Sequence, residues 1–245
     1  QTIIAEIVAE LPALREMLSP LTTKPKGQVA QRMHMACTPF ASTGYLTRMA
    51  AVAGSVADEV LSAMCQHADI SRAYVNNGGD IALYLGRGTS LSTAIKGHGG
   101  RDLGRIQIDA IDQIGGIATS GRPGRSHSLG IAESVTVLSP SAAAADVAAT
   151  LIANAVDLPG HPAITRRAAC DLDEASDLGD LPVVTGCDPL SAAECTRALD
   201  AGKRRADDFQ RQGLINMAAL FLQGHVATSP FYLLTPSKEP IHVQA

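Results

Sequence analysis

From Ala142 to Val156 every residue is apolar except Asp146, Thr150 and Asn154, which recur at intervals of four. That spacing puts the three in one line along a helix. A helix that is apolar on all its other faces is stable only when surrounded, so this one must lie inside the molecule. Its polar stripe then has to meet a partner, because a buried carboxylate without compensation is very costly. Two arrangements suit it. In one, Asp146 caps a neighbouring loop through backbone N–H groups and Thr150 bonds a carbonyl of its own helix. In the other, the Asp146 carboxylate and the Thr150 hydroxyl hold a hard cation such as Mg2+ or Ca2+, with carbonyls and water completing the shell. Ser139 is the expected N-cap of this helix and Pro140 its expected first residue.

A second helix, Leu46 to Met64, is small and apolar on nearly every face through Met49-Ala50-Ala51-Val52-Ala53-Gly54 and is also expected to be buried. Residues 3–18 carry Ile4, Ile7, Val8, Leu11, Leu14 and Leu18 at helical spacing, with Pro12 dividing the pattern. Residues 20–45 read as loop, with one short strand where Met33, Met35 and Cys37 alternate with His34 and Ala36. Strand, turn and strand follow at Ala73-Tyr74-Val75, Asn76 to Asp80 and Ile81 to Leu85, with an Asn-Gly pair at the bend. Further strands are expected at 105–109, 114–119, 134–138 and 181–185. Ser191 and Glu194 form a capping box for a charged helix running to about Gln212, and Leu214 to Leu222 reads as helical. Strands and helices mix without a regular βαβ rhythm, which indicates an α+β fold.

The 245 residues fit one domain and include 46% hydrophobic residues, enough for a core built from Ala, Leu, Ile and Val. There is no Trp, only four Phe and four Tyr, and a net charge of −4. A nucleic-acid partner is therefore not expected. No run of about 18 apolar residues occurs, so no membrane partner is expected either. The opening residues do not read as a secretion signal, and the five cysteines are odd in number with no Cys-x-x-Cys, which suits a reducing, cytoplasmic setting. The absent Met leaves native residues upstream as an expectation.

Two more segments can carry chemistry. Asn77-Gly78-Gly79-Asp80 is a tight turn whose glycines also allow a ligand to approach the backbone. Ala118-Thr119-Ser120-Gly121, followed by Arg122, Arg125, Ser126, His127 and Ser128, combines N–H groups, hydroxyls and two guanidinium groups, which suits a phosphate. It lacks the Gly-Lys-Ser/Thr ending of a P-loop, and no nucleophile elbow accompanies His127.

Taken in order, Asn77 to Ile81, Ala118 to Gly121 and Ala145 to Thr150 resemble the ApbE family, the magnesium-dependent FAD:protein FMN transferases. Met49 to Gly54, Asn77 to Ile81 and Ser126 to Ser128 are similar still more closely to an uncharacterised ApbE-like family. The resemblance implies a single ApbE-like (T-fold-like) domain over 1–245, with antiparallel sheets backed by helices. It implies Mg2+ on Asp146 and Thr150, with the Ala118 carbonyl as a third ligand. It also implies FAD or FMN against Asn77, Gly78, Gly79, Asp80, Thr119, Ser120 and Gly121; Arg122, Arg125, Ser126 and Ser128 join them as phosphate-binding candidates by their own chemistry, and His127 as the catalytic candidate. The chain departs from the transferases in lacking their Asp-Pro-x-Thr-Gly segment, and His127 is followed by Ser128-Leu129-Gly130. Two functions follow: a Mg2+-dependent enzyme acting on a small phosphate-bearing ligand, or a non-catalytic binding or partner protein. The helix at 49–64 is in addition a candidate homo-oligomer contact.

Overall fold

The computed structural model describes residues 2–66, 69–96, 102–124 and 126–230. Helices α1 (Ile3–Ala9), α2 (Leu11–Leu14), α3 (Gln28–Cys37) and α4 (Val52–Gln66) precede strands β1 (Arg72–Asn77), β2 (Asp80–Leu85), β3 (Ser90–Lys96), β4 (Asp102–Asp109), β5 (Gly116–Ser120) and β6 (Ser134–Ser139). Helix α5 (Ala142–Ala155), strands β7 (Ile164–Ala168) and β8 (Pro182–Cys187), helix α6 (Ala192–Arg211) and strands β9 (Met217–Leu222) and β10 (His225–Ser229) complete the fold.

Six strands form one sheet in the order β1-β2-β5-β6-β9-β10, every neighbouring pair antiparallel. Side chains alternate between the two faces of a strand, and the register assigns each residue to one of them. Ile81, Ile117, Leu138 and Met217 share a face, which the β3–β4 hairpin covers with Ile95, Ile106 and Ile108. Ala82, Ala118, Val137 and Ala218 take the other face, where α4, α5 and α6 pack. The alanine-rich helix α5 is the innermost of these, with contacts to β5, β6, α4 and α6. Its small side chains permit that crowding, and Ala142, Ala145, Val147, Ala148, Ala149 and Ile152 are all fully buried.

The expected helix cap moves by two residues. Ser139 ends β6 and donates its hydroxyl to the Leu214 carbonyl (3.0 Å), while Ser141 caps α5 by accepting from the Ala144 N–H. The strand expected at Met33, Met35 and Cys37 is helix α3, and its buried residues Val29, Ala30, Met33, His34 and Cys37 follow a helical period. Leu214 to Leu222 is no helix either. Its ordered core is β9, buried at every position because both faces of the sheet are covered, which erases the period-two signal. Strands β3, β7 and β10 had no sequence counterpart. Pro12 does divide the first helical stretch, and Ser191 and Glu194 do form the capping box of α6.

The N-terminal helices are tied on by Arg48, which is fully buried. Its Nε donates to His34 Nδ1 (3.2 Å), and its Nη atoms donate to the Ala13 and Thr23 carbonyls, both at 2.7 Å.

Candidate functional site

Helices α4 and α5 touch at Gly54, where an added Cβ would lie 2.3 Å from the Ala142 carbonyl oxygen. No other residue type fits that approach without a shift of backbone. At this crossing each helix supplies a carboxylate to the amino end of the other. Asp146 Oδ2 of α5 accepts from the Gly54 N–H at 3.0 Å. Asp58 of α4 accepts from the Ala142 and Ala143 N–H groups at 3.1 and 2.9 Å. Both ends need such acceptors, since the first N–H groups of a helix have none within it.

Asp146 also faces two other carboxylates. Burial pushes its carboxyl well above the usual carboxylate range, and the neighbouring charges of Asp80 and then Asp58 act in the same direction. The N–H groups of Gly54 and Ala53 oppose the rise without overcoming it. Asp58 is also raised, by burial first, against the pull of Ala143 and Ala142. Asp80 reaches this cluster because the β1–β2 turn is short: Asn77 pairs with Asp80, and Gly78 and Gly79 between them have φ of 72° and 114°. The bend is thus Gly-Gly, with Asn77 as the last strand residue. The Asn77 amide donates to the Ala53 carbonyl at 3.0 Å, which locks the turn to α4.

The rest of the polar stripe has different partners. No hydrogen bond links the Thr150 hydroxyl to a described residue. Asn154 Oδ1 accepts from the Leu129 N–H (2.9 Å) and the Ser128 hydroxyl (3.4 Å). Arg166 donates to the Leu129 carbonyl and to Asp157, each at 2.6 Å, and Val184 N–H bonds the Ser128 carbonyl. Ser128 is therefore buried in a clamped loop, whereas Ser126 is exposed and His127 half-buried. Arg122 bonds the Ala132 carbonyl through its backbone, and its side-chain Nε is buried with no partner among the described residues. Arg125 lies outside the described residues.

Strand alternation separates the sequence candidates onto two faces. Asn77, Asp80, Ala118 and Ser120 belong to the helix face with Asp146, and Ala118 is paired with Val137 inside the sheet. Gly78, Gly79 and Thr119 line a cavity of about 360 Å³ on the hairpin face, together with Asn76, Thr93 and Thr136. Gly121 follows β5 and turns the chain toward Arg122. Asp58 and the cavity residues Asn76, Thr93 and Thr136 were not singled out from sequence. Asp58 carried the same signal as Asp146, a carboxylate on an otherwise apolar helix.

Among the described residues no three His, Cys, Asp or Glu side chains gather as a metal cluster. What is present near Asp146 is a second carboxylate, Asp80, and one turn along α5 the hydroxyl of Thr150. A desolvated carboxylate, a neighbouring one and a hydroxyl with no partner among the described residues make an all-oxygen donor set, and that set fits Mg2+ in kind. No described helix is long and apolar enough to cross a membrane.

This fold and site define an α+β protein in which a six-stranded antiparallel sheet carries an acidic cluster on its helix face and a cavity on the other. The chain belongs to the family described as AbpE bacteria, whose model matches residues 1–228. It is similar to a UPF0280 protein of Methanopyrus kandleri, 32% identical over 176 residues that make up 71% of this chain and 68% of that one. A UPF0280 protein of Methanococcus maripaludis is 38% identical over 111 residues, 43% of this chain and 44% of its own. One from Methanosarcina acetivorans is 36% identical over 111 residues, covering 45% and 43%. The match thus spans less than half the length of these last two relatives.

Proposed function

We propose that this protein binds a small phosphate-bearing ligand, a flavin nucleotide such as FMN or FAD, together with Mg2+. The observation that carries this reading is the Asp146 carboxyl, held desolvated beside Asp80, with the Thr150 hydroxyl one helical turn away and bonded to none of the described residues. A divalent cation there relieves the repulsion between the two carboxylates. Asp146, Thr150 and Asp80 would hold the ion, with the Ala118 carbonyl as the further donor the ApbE resemblance suggests. The metal would neutralise phosphate charge and polarise a phosphoryl oxygen. Arg122, whose buried Nε has no partner among the described residues, supplies a further cation for the phosphate, and the Gly121 segment brings it to the end of β5. His127 stands half-buried in the following loop as the group available for proton exchange.

A binding role without chemistry is favoured by two features: Asp146 and Asp58 already serve as helix caps, and the transferase segment Asp-Pro-x-Thr-Gly does not occur. The two readings separate in one experiment. FMN and FAD are titrated into the protein by flavin fluorescence, with and without Mg2+, beside Asp146→Ala. Mg2+-dependent binding that Asp146→Ala abolishes supports the metal site, and release of AMP from FAD marks an enzyme. Binding indifferent to Mg2+ and to Asp146 contradicts it.

A further inference from the structure

The six-stranded sheet ends on β1, and β1 carries none of the devices that keep a sheet edge from pairing. It runs six residues without proline or bulge, in unbroken register with β2, and Arg72 is its single charge. The Gly86 N–H donates to the Ser71 carbonyl and the turn closes on Asn77 and Asp80, so the residues of β1 bonded to β2 alternate from Ser71 through Ala73 and Val75 to Asn77. The backbone N–H and C=O groups of Arg72, Tyr74 and Asn76 therefore point away from the sheet, and no described residue pairs with them. Their side chains lie on the hairpin face, where Tyr74 is 61% exposed.

This edge is complementary to itself. In an antiparallel pair related by a two-fold axis through Tyr74, every outward residue meets another: Tyr74 meets Tyr74, and Arg72 meets Asn76 of the second copy. Shifting the register leaves outward groups unpaired. The two tyrosine rings form a cross-strand aromatic pair, and no like charges oppose each other because each Arg72 faces an amide. On the helix face Ala73 meets Val75. Helix α4 packs on β1 and β2, so the same axis sets the two α4 helices side by side. Asp58 turns toward α5 and Glu59 toward Arg32 of α3, while Ala57 and Leu61 pack with Ala73 and Val75. Helical spacing leaves Val60 and Met64 on the remaining side, beside the strand edge, with Met64 43% exposed.

We propose that β1 and the adjoining side of α4 are an interaction surface for a second copy of this chain, joined β1 to β1 about Tyr74 into one continuous sheet. The contact is independent of the flavin and metal reading. Its footprint is about 20 Å of strand beside about 22 Å of helix. That is at the small end of a stable interface, which buries about 800 Å² per partner, so the dimer forms at micromolar rather than nanomolar concentration.

The test is sedimentation velocity of the protein from about 1 to 200 μM, beside Tyr74→Glu, Tyr74→Lys, an equal mixture of these two, and Met64→Glu. Val226→Glu, at an exposed position of β10 on the opposite edge, is the control. Circular dichroism melts establish that each variant is folded. Across the axis the Cα atoms of a bonded pair lie about 5.5 Å apart, so like charges at position 74 repel and opposite ones attract. The proposal expects a native dimer whose dissociation constant rises at least about tenfold in Tyr74→Glu and in Tyr74→Lys alone, and recovers when the two are mixed. Met64→Glu also weakens the dimer, and Val226→Glu leaves it unchanged. A native protein that stays monomeric throughout, a dimer indifferent to the folded Tyr74 variants, no recovery on mixing, or a dimer lost in Val226→Glu overturns it.

Discussion

Asp58 and Asp146 cap each other's helices: Asp58 on α4 accepts from the first two N–H groups of α5, and Asp146 on α5 accepts from Gly54 in the first turn of α4. The exchange fixes where Asp146 stands relative to Asp80. It also gives the two carboxylates different liabilities, since the charge facing Asp146 is chiefly that of Asp80, which raises it, whereas Asp58 faces the Arg32 cation, which lowers it.

Asp58→Ala leaves the Ala142 and Ala143 N–H groups without acceptors, which costs about 1–2 kcal/mol of stability, the usual loss for a helix cap. Asp58→Asn keeps one acceptor and loses less. Urea unfolding curves of the three proteins measure the order directly, and an unchanged midpoint for Asp58→Ala contradicts the capping role.

Gly54→Ala forces a methyl to within 2.3 Å of the Ala142 carbonyl oxygen, where only backbone can yield. The expected loss is about 1–3 kcal/mol or more. Because α5 must move away from α4, Mg2+-dependent flavin binding falls together with stability in this variant. A chemical melt combined with the flavin titration shows both.

Asn154→Ala removes the acceptor shared by the Leu129 N–H and the Ser128 hydroxyl, leaving a buried donor unsatisfied at about 1–3 kcal/mol. The loss is local. Hydrogen exchange should rise through residues 126–130 while α5 itself stays protected. Uniform exchange across the sheet is the contrary result.

His34 gives the protein an acid-sensitive joint. Burial lowers its pKa first, and the Arg48 and Lys24 charges lower it further; its Nδ1 must stay unprotonated to accept from Arg48. The unfolded chain takes up a proton near the ordinary value of about 6.5, while the folded one resists. Stability from this pair is therefore complete above about 6.5, and is lost as pH falls through the lower folded value. His34→Gln should flatten that part of the stability profile, measured by thermal melts between pH 5 and 8 in roughly half-unit steps. An identical slope in the variant removes His34 as the cause.

Much of this architecture was readable because local rules and tertiary burial agreed. Pro12 split its helix, the Ser191–Glu194 box began α6, and the β1–β2 turn formed where glycines permit positive φ. The failures have two physical origins: burial on several sides erases periodicity, and a chance alternation can mask a helical face. β9 is covered on both faces and reads as a uniform apolar run, while in α3 the alternation of Met33, Met35 and Cys37 concealed a helical period shared with Val29 and Ala30. At the site, the stripe of α5 was legible as a need for a partner, but the partner was not. Gly54 lies far away in sequence, and only the fold shows that it lends Asp146 its N–H. Nor could spacing reveal that Asp80 and Gly79, adjacent in the chain, serve opposite faces of the sheet.

The most direct test of the metal reading is Asp146→Asn at pH 7.5, compared with the native protein by thermal melt and by calorimetric titration of FMN with and without Mg2+. Burial holds the Asp146 carboxyl above its ordinary range, so its folded form loses stability as pH rises through that raised value. Asparagine avoids this loss and still accepts from Gly54. The account predicts a melting temperature equal to or above the native one, with the Mg2+-dependent gain in FMN affinity reduced at least about tenfold. A variant that is equally stable and keeps the full Mg2+ effect would contradict a cation at Asp146 and leave that carboxylate a helix cap alone.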